Sequence, residues 1–227
     1  EGSVGLVFGS PGSGKTSLML DAARVWRAVT GGHIVANIDW GGADGQFSSD
    51  EEMLELMASF QGPVLALLDE IAQELSGFGS GSKKVEAFSD SLLFIRKKEE
   101  SHGEYPKRGS VLAVGHTRTK TAKEIRRVAS FGIEKPQLSK PHIARILESE
   151  GGKDVWSEKQ TYQGLTDTTE LYDPYDPSEF TVSENYGDGD GDGSESGVST
   201  EKAASIQTAL TLVANGHTYA EAGEAVG

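Results

Sequence analysis

Gly9-Ser10-Pro11-Gly12-Ser13-Gly14-Lys15-Thr16-Ser17 is a complete G-x-x-x-x-G-K-T stretch, and its flanks decide how the chain folds. The apolar run Val4-Gly5-Leu6-Val7-Phe8 before it reads as a buried parallel strand. Leu18, Ala22, Val25, Trp26 and Val29 after it recur at helical spacing. Strand, glycine-rich turn and helix therefore come in the order a phosphate-binding loop needs. Glycines let successive N–H groups point at one anion, and the helix presents its positive end to the same anion. The stretch predicts a nucleoside triphosphate held by Gly9 through Ser17, with Lys15 reaching the β/γ-phosphates and Thr16 on Mg²⁺.

Working outward, alternating strands and helices continue. His33-Ile34-Val35-Ala36-Asn37-Ile38 reads as a second strand closed by the turn-rich Trp40-Gly41-Gly42-Ala43-Asp44-Gly45. Ser49 or Asp50 caps a helix with Met53, Leu54, Leu56, Met57 and Phe60 on its apolar face, and Gly62-Pro63 stops it. Val64-Leu65-Ala66-Leu67-Leu68 is apolar throughout, as a central parallel strand is, and delivers Asp69-Glu70 at its end. Ser76 to Ser82 reads as a mobile loop. Val85, Phe88, Leu92 and Ile95 then mark a helix ending in Arg96-Lys97-Lys98, and a fourth strand, Val111 to Val114, ends at Gly115-His116-Thr117. A helix around Ala122 to Ala129, a strand at Phe131-Gly132-Ile133-Glu134 and a hairpin between His142 and Leu165 complete the pattern.

Asp69-Glu70 after the apolar strand is a Walker B arrangement: Asp69 in the Mg²⁺ shell, Glu70 placed as general base toward the attacking water. Asp plus Glu, with a further strand between phosphate loop and Walker B, predicts an α/β fold of the RecA-like additional-strand P-loop NTPase kind with a central parallel sheet. His116, ending the fourth strand, which in such folds lies between the phosphate-loop strand and the Walker B strand, is expected to contact the γ-phosphate or the lytic water, with Thr117 able to share the task. Ring ATPases complete such sites with an arginine from a neighbouring subunit. Arg96 is the first candidate, followed by Arg108 and Arg118. No pair of histidines has metal-ligand spacing.

Charge and composition narrow the classes. The net charge of −14 argues against nucleic-acid binding by the whole surface. It is unevenly spread: Arg96, Lys97, Lys98, Lys107, Arg108, Arg118, Lys120, Lys123, Arg126 and Arg127 make the middle cationic, whereas Asp167 to Thr200 holds no Lys or Arg. General acidity also suits a high-salt cytoplasm. There is no cysteine, so disulfides and thiolate metal sites are excluded and a cytoplasmic setting is expected. The sequence has no apolar run long enough for a membrane span. Glu1 leads almost directly into the first strand, so the sequence reads as a trimmed or partial chain without a signal peptide.

Toward the end, Tyr172-Asp173-Pro174-Tyr175-Asp176-Pro177 is extended by its prolines and is expected to lie across the domain, with Phe180 as an anchor. Gly187-Asp188-Gly189-Asp190-Gly191-Asp192-Gly193 has nothing apolar to bury. The organisation expected is an ATPase domain over 1–180, a flexible acidic linker over 181–200 and a small helical unit over 201–227. Ile206, Ala209, Leu210 and Val213, then Gly216 and a helix capped by Thr218, resemble the opening of a helix-turn-helix.

Taken together, Gly9 to Ser17, the strand ending Asp69-Glu70, the basic helix end at Arg96 and the strand ending Gly115-His116-Thr117 resemble a HerA/FtsK-type ATPase. More narrowly they are similar to the genome-packaging ATPases of archaeal viruses with membrane-containing capsids, and the acidity is similar to that of haloarchaeal examples. The resemblance covers roughly residues 4 to 165, and many family members carry Gln where His116 stands. It implies ATP and Mg²⁺ as cofactors and a homo-oligomeric ring, usually a hexamer. It also implies double-stranded DNA driven through the ring's centre, capsid or vertex proteins as further partners, and action in the host cytoplasm or on a virion. In such a ring the loops around Lys107-Arg108 and Arg118-Thr119-Lys120 would face the DNA backbone. The alternative is a DNA-bound regulatory or partitioning NTPase whose C-terminal helices read one site.

Overall fold

The computed structural model describes residues 2–71, 81–98, 100, 102–166, 168, 170–173 and 180–182. The acidic linker from 183 onward, the helical unit over 201–227 and the loop residues 72–80 lie outside them.

An eight-stranded, mostly parallel sheet organises the chain. Its strands are β1 (Val4–Gly9), β2 (His33–Ala36), β3 (Gly45–Gln46), β4 (Val64–Leu68), β5 (Gly109–Val114), β6 (Phe131–Lys135), β7 (Ile143–Ser149) and β8 (Trp156–Gln163), in the order β3-β2-β4-β5-β1-β6-β7-β8. β1 lies between β5 and β6 and is parallel to both, and β5 lies between β1 and β4. The strand ending at Gly115-His116-Thr117 thus separates the phosphate-loop strand from the strand ending in Asp69, as expected. β6, β7 and β8 pair antiparallel, so the sheet is mixed rather than wholly parallel. The hairpin is part of the sheet, not an appendage.

Alternation along each central strand supplies two cores. Leu6 and Phe8 of β1 pack on one side with Ala66, Leu68 and Ala113, while Val7 packs on the other with Leu65, Leu67, Leu112 and Val114. Burial on both faces is why these strands read as unbroken apolar runs. The first face is covered by α2 (Asp50–Ser59), α3 (Gly81–Leu93) and α4 (Lys123–Val128). The second is covered by α1 (Lys15–Thr30), with Leu165 and Tyr172 packed beside it.

Local signals set most boundaries. Ser49, not Asp50, is the N-cap of α2: its Oγ accepts from the Glu52 N–H at 3.1 Å, and Glu52 in turn accepts from the Ser48 N–H at 2.7 Å. Gly31 ends α1 in a left-handed conformation, φ 64°, and donates to the Arg27 carbonyl at 2.8 Å. Several boundaries differ from expectation, three of them instructively. β2 stops at Ala36 because Asn37 turns its side chain to the neighbouring strand's end. Gly45, expected as the end of a turn, instead begins β3 and pairs in parallel with Val35, followed by Gln46 with Ala36. Gly81 and Ser82, expected in a loop, begin α3, which gives way to a 3-10 turn at Phe94–Arg96.

Beyond β8 the chain crosses α1 to the far edge of the sheet. Thr168 donates to Asp21 at 2.7 Å, Glu170 pairs with Arg24 at 3.0 Å and accepts from the Trp40 indole at 2.8 Å, and Tyr172 bridges to Trp40. Phe180 is 3% exposed. It meets Phe88 edge-on at 5.4 Å and Phe47 at 6.2 Å between ring centroids. The anchor expected at Phe180 is thus in place, and Val182, two residues past the expected domain boundary, is also buried. Phe180→Ala is expected to lower the unfolding free energy by about 3–5 kcal/mol, read from denaturant unfolding. A loss below about 0.5 kcal/mol would mean that this segment lies on the surface only.

A second fastening sits at the β7–β8 turn. Arg126 of α4 donates to Asp154 through Nε at 2.8 Å and Nη2 at 2.6 Å, and the Trp156 indole donates to the same carboxylate at 3.0 Å. The Arg126 guanidinium leads in holding the Asp154 carboxyl down to about 2. A depressed carboxyl stabilises the fold above its ordinary pKa and loses that contribution as pH falls through the folded value. Asp154→Asn is therefore expected to cost about 1–3 kcal/mol at neutral pH. The gap from the parent protein should narrow as pH drops from about 4 toward 2, followed by unfolding across pH.

Candidate functional site

Because β1, β5, β4 and β2 run parallel, their carboxyl ends share one edge of the sheet, and there the sequence motifs meet. Gly14 is left-handed, φ 80° and ψ 34°, which starts α1 at Lys15. Gly12 is also left-handed at φ 75°, so the loop turns twice through backbone that only glycine adopts without strain. A Cβ on Gly9 would come within 2.6 Å of Ser13 Oγ, which fixes glycine at the first position as well. Ser13 is itself buried, and its hydroxyl has no protein partner among the described residues.

Inside this turn Lys15 Nζ donates back to the Ser10 carbonyl at 3.1 Å. Burial pushes the Lys15 ammonium below its ordinary pKa, opposed by the nearby carboxylates of Asp69 and Glu70. A bound polyphosphate would supply further anionic charge that favours the ammonium form. Thr16 Oγ1 donates to Asp69 Oδ2 at 2.8 Å, across 53 residues of sequence. Asp69 is 8% exposed, and burial raises its pKa. The Thr16 hydroxyl and then the Glu70 N–H and Lys15 oppose that rise, while the Glu70 charge adds to it. A cation would relieve the buried carboxylate. Hydroxyl and carboxylate are hard oxygen donors of the kind that hold Mg²⁺ beside a phosphate. No group of three or more His, Cys, Asp or Glu side chains placed to hold a metal ion occurs among the described residues.

Glu70 follows with φ 54°, a left-handed conformation that costs a non-glycine residue on the order of 1 kcal/mol. Two contacts hold it there. Its N–H donates to Asp69 Oδ1 at 3.1 Å, and Asn37 brackets the preceding residue. The Asn37 amide donates to the Asp69 carbonyl at 3.1 Å and its Oδ1 accepts from the Asp69 N–H at 2.7 Å. Asn37 reads in sequence only as the end of a strand. Its signal is an Asn where the apolar run of β2 stops, at the level of Asp69 and Glu70 one strand away.

The remaining candidates divide. His116 is half-buried, and its carbonyl accepts from the Gly9 N–H at 3.3 Å, which stitches the end of β5 to the start of the phosphate loop. Ser17 Oγ lies 3.2 Å from the Tyr172 hydroxyl, so the crossing segment reaches the first turn of α1. Arg96 is not brought to this site. Its guanidinium donates to the Gly2 carbonyl through Nε at 2.7 Å and also through Nη2. Gly2 precedes β1, so the site lies a full strand length away, about 20 Å.

Lys107, expected to face a DNA backbone, is 0% exposed and its Nζ lies 2.9 Å from His102 Nδ1. Its stem and charge are enclosed, so it offers nothing to a partner. Arg108, beside it, precedes β5, whereas Arg118, Thr119 and Lys120 follow it. The two cationic loops therefore lie at opposite ends of the same strand.

No protein-family model matches the chain, and no curated protein matches it. Among solved structures it is similar to the N-terminal domain of zonular occludens toxin from Neisseria meningitidis, at 13% identity and a TM-score of 0.41, over 70% of this chain and 93% of that one. Among the described residues no helix is long and apolar enough to cross a membrane.

Replacing Asn37 by Ala leaves a buried N–H and a buried carbonyl without their partner. A loss of about 1–3 kcal/mol of unfolding free energy is expected. An unchanged denaturation midpoint would show that the bracket around Asp69 is dispensable.

Proposed function

We propose that the protein is a Mg²⁺-dependent ATPase of the RecA-like additional-strand kind, with hydrolysis coupled to movement of double-stranded DNA, as in a viral genome-packaging motor. The observation that carries the nucleotide part is the 2.8 Å contact of Thr16 Oγ1 with Asp69 Oδ2 beneath a glycine-turned loop. In this reading the backbone N–H groups from Gly12 to Ser17 bind the phosphates, and Lys15 turns from the Ser10 carbonyl to the terminal phosphate oxygens. Thr16 and Asp69 hold the metal. With Mg²⁺ bound, charge developing on the transferred phosphoryl group is neutralised. Glu70, carried past the sheet edge by its left-handed backbone, accepts the proton of the attacking water on its carboxylate. His116 senses the terminal phosphate.

The coupling to DNA rests on the resemblance and on charge. Lys120, Lys123 and Arg127 are exposed and follow β5, the strand that ends at His116. A phosphate backbone bound there would lie on segments continuous with the sensing strand. A ring of identical subunits follows from the same resemblance. Within it Arg118 replaces Arg96 as the arginine proposed to reach a neighbouring subunit's nucleotide, because Arg96 is occupied by Gly2.

Steady-state ATP hydrolysis with and without linear duplexes of unrelated sequence tests both halves. Every duplex is expected to stimulate turnover, and Glu70→Gln is expected to lower it by about 10²-fold or more. Turnover indifferent to DNA would overturn the translocation reading. Stimulation by one sequence alone would favour a regulatory switch.

A further inference from the structure

The phosphate loop fixes where a triphosphate sits but leaves its nucleoside end unassigned. Direction follows from the sheet. The metal end belongs at Thr16 and Asp69, on the β4–β5 side of β1. A nucleotide extended across the loop therefore directs its ribose and base to the other side of β1, toward β6. There the chain leaves Lys135, whose Cα pairs with that of Gly9, and runs through a short loop to β7.

That loop is built rather than loose. Lys140 N–H donates to the Gln137 carbonyl at 3.1 Å and Ile143 N–H to the Lys140 carbonyl at 3.1 Å. Pro136 and Pro141 limit it at both ends, and the buried Lys135 ammonium donates to the Pro141 carbonyl. At its tip Leu138 is 57% exposed, an apolar side chain set out beside a polar loop. It stands against the phosphate loop itself: a Cβ on Gly12 would lie 3.7 Å from Leu138 Cδ1. An aliphatic face next to a phosphate cradle matches the two halves of a nucleotide, whose planar base is apolar on its faces and whose other end is anionic.

We propose that the loop from Pro136 to Pro141 is the nucleoside-binding element, with Leu138 packing on the face of a purine base. This rests on the phosphate-loop reading above and adds to it the other end of the same ligand. Lys135 acts as a positioning residue for the loop, and Gly12 is glycine for its left-handed backbone, φ 75°, with Leu138 at ordinary van der Waals distance from where a Cβ would stand.

Calorimetric titration of the chain with Mg·ATP and, separately, with Mg·tripolyphosphate tests this, because only the first has a base. Leu138→Ser is expected to weaken Mg·ATP binding about tenfold, the scale of one partly buried aliphatic contact. Mg·tripolyphosphate binding should stay unchanged, and Leu138→Met should retain the parent affinity for ATP. Equal weakening toward both ligands, or none toward ATP, would overturn the assignment while leaving the phosphate loop intact. Failure of the unsubstituted chain to bind either ligand would instead overturn the phosphate-loop reading, and this one with it.

Discussion

Parallel pairing of β4, β5 and β1 is the constraint from which the rest follows. It places residues 53 apart in sequence, Thr16 and Asp69, within one hydrogen bond of each other. Strands that run in the same direction end on the same edge, so every loop that leaves a carboxyl end is delivered to one place. The apolar cost of this arrangement is burial on both faces, met by three helices on one side and by α1 with its crossing segment on the other. Neither face is optional. Loss of cover over either would expose strands that have no polar side to turn outward.

Within that edge, polar groups are satisfied in pairs that restrain one another. Asn37 holds both main-chain groups of Asp69, Asp69 holds Thr16 and the Glu70 N–H, and the Gly9 N–H holds the His116 carbonyl. The left-handed Glu70 is tolerated because its neighbours determine its backbone from two sides. Against this order, the buried Ser13 hydroxyl and the desolvated Lys15 and Asp69 are where the site is least satisfied by protein alone. On the proposed function, a bound anion would meet Lys15 and a cation would meet Asp69.

Legibility in the sequence followed the locality of the signal. Strand β1, the glycine turn and α1 are specified by neighbours along the chain, and the apolar run before Asp69 needs only the rule for central strands. Phe180 was readable as an anchor because an isolated aromatic after two X-Pro steps has few other uses. What stayed hidden depends on distant partners. Nothing near Asn37 in sequence says that its amide will face Asp69. Lys107 and Arg126 look like their solvated neighbours in a basic segment. One is enclosed beside His102 and the other is bound by Asp154 across the β7–β8 turn. Counting charge along the chain overstates the cationic surface, because burial and ion pairing are decided in space. Arg96 shows the same effect: nothing near it in sequence says that the Gly2 carbonyl accepts from its guanidinium.

The crossing segment also has a mechanical meaning. Thr181 pairs with Ser49 at the start of α2, and Phe180 is seated between Phe47 and Phe88. Tension applied to the chain beyond Val182 is thus received at the aromatic seat and at the first turn of α2, on the edge opposite β8. Tyr172, next along the load path, lies against Ser17 at the phosphate loop. A pull at Val182 is thus received in the interior of the fold, with α1 as the next element to feel it.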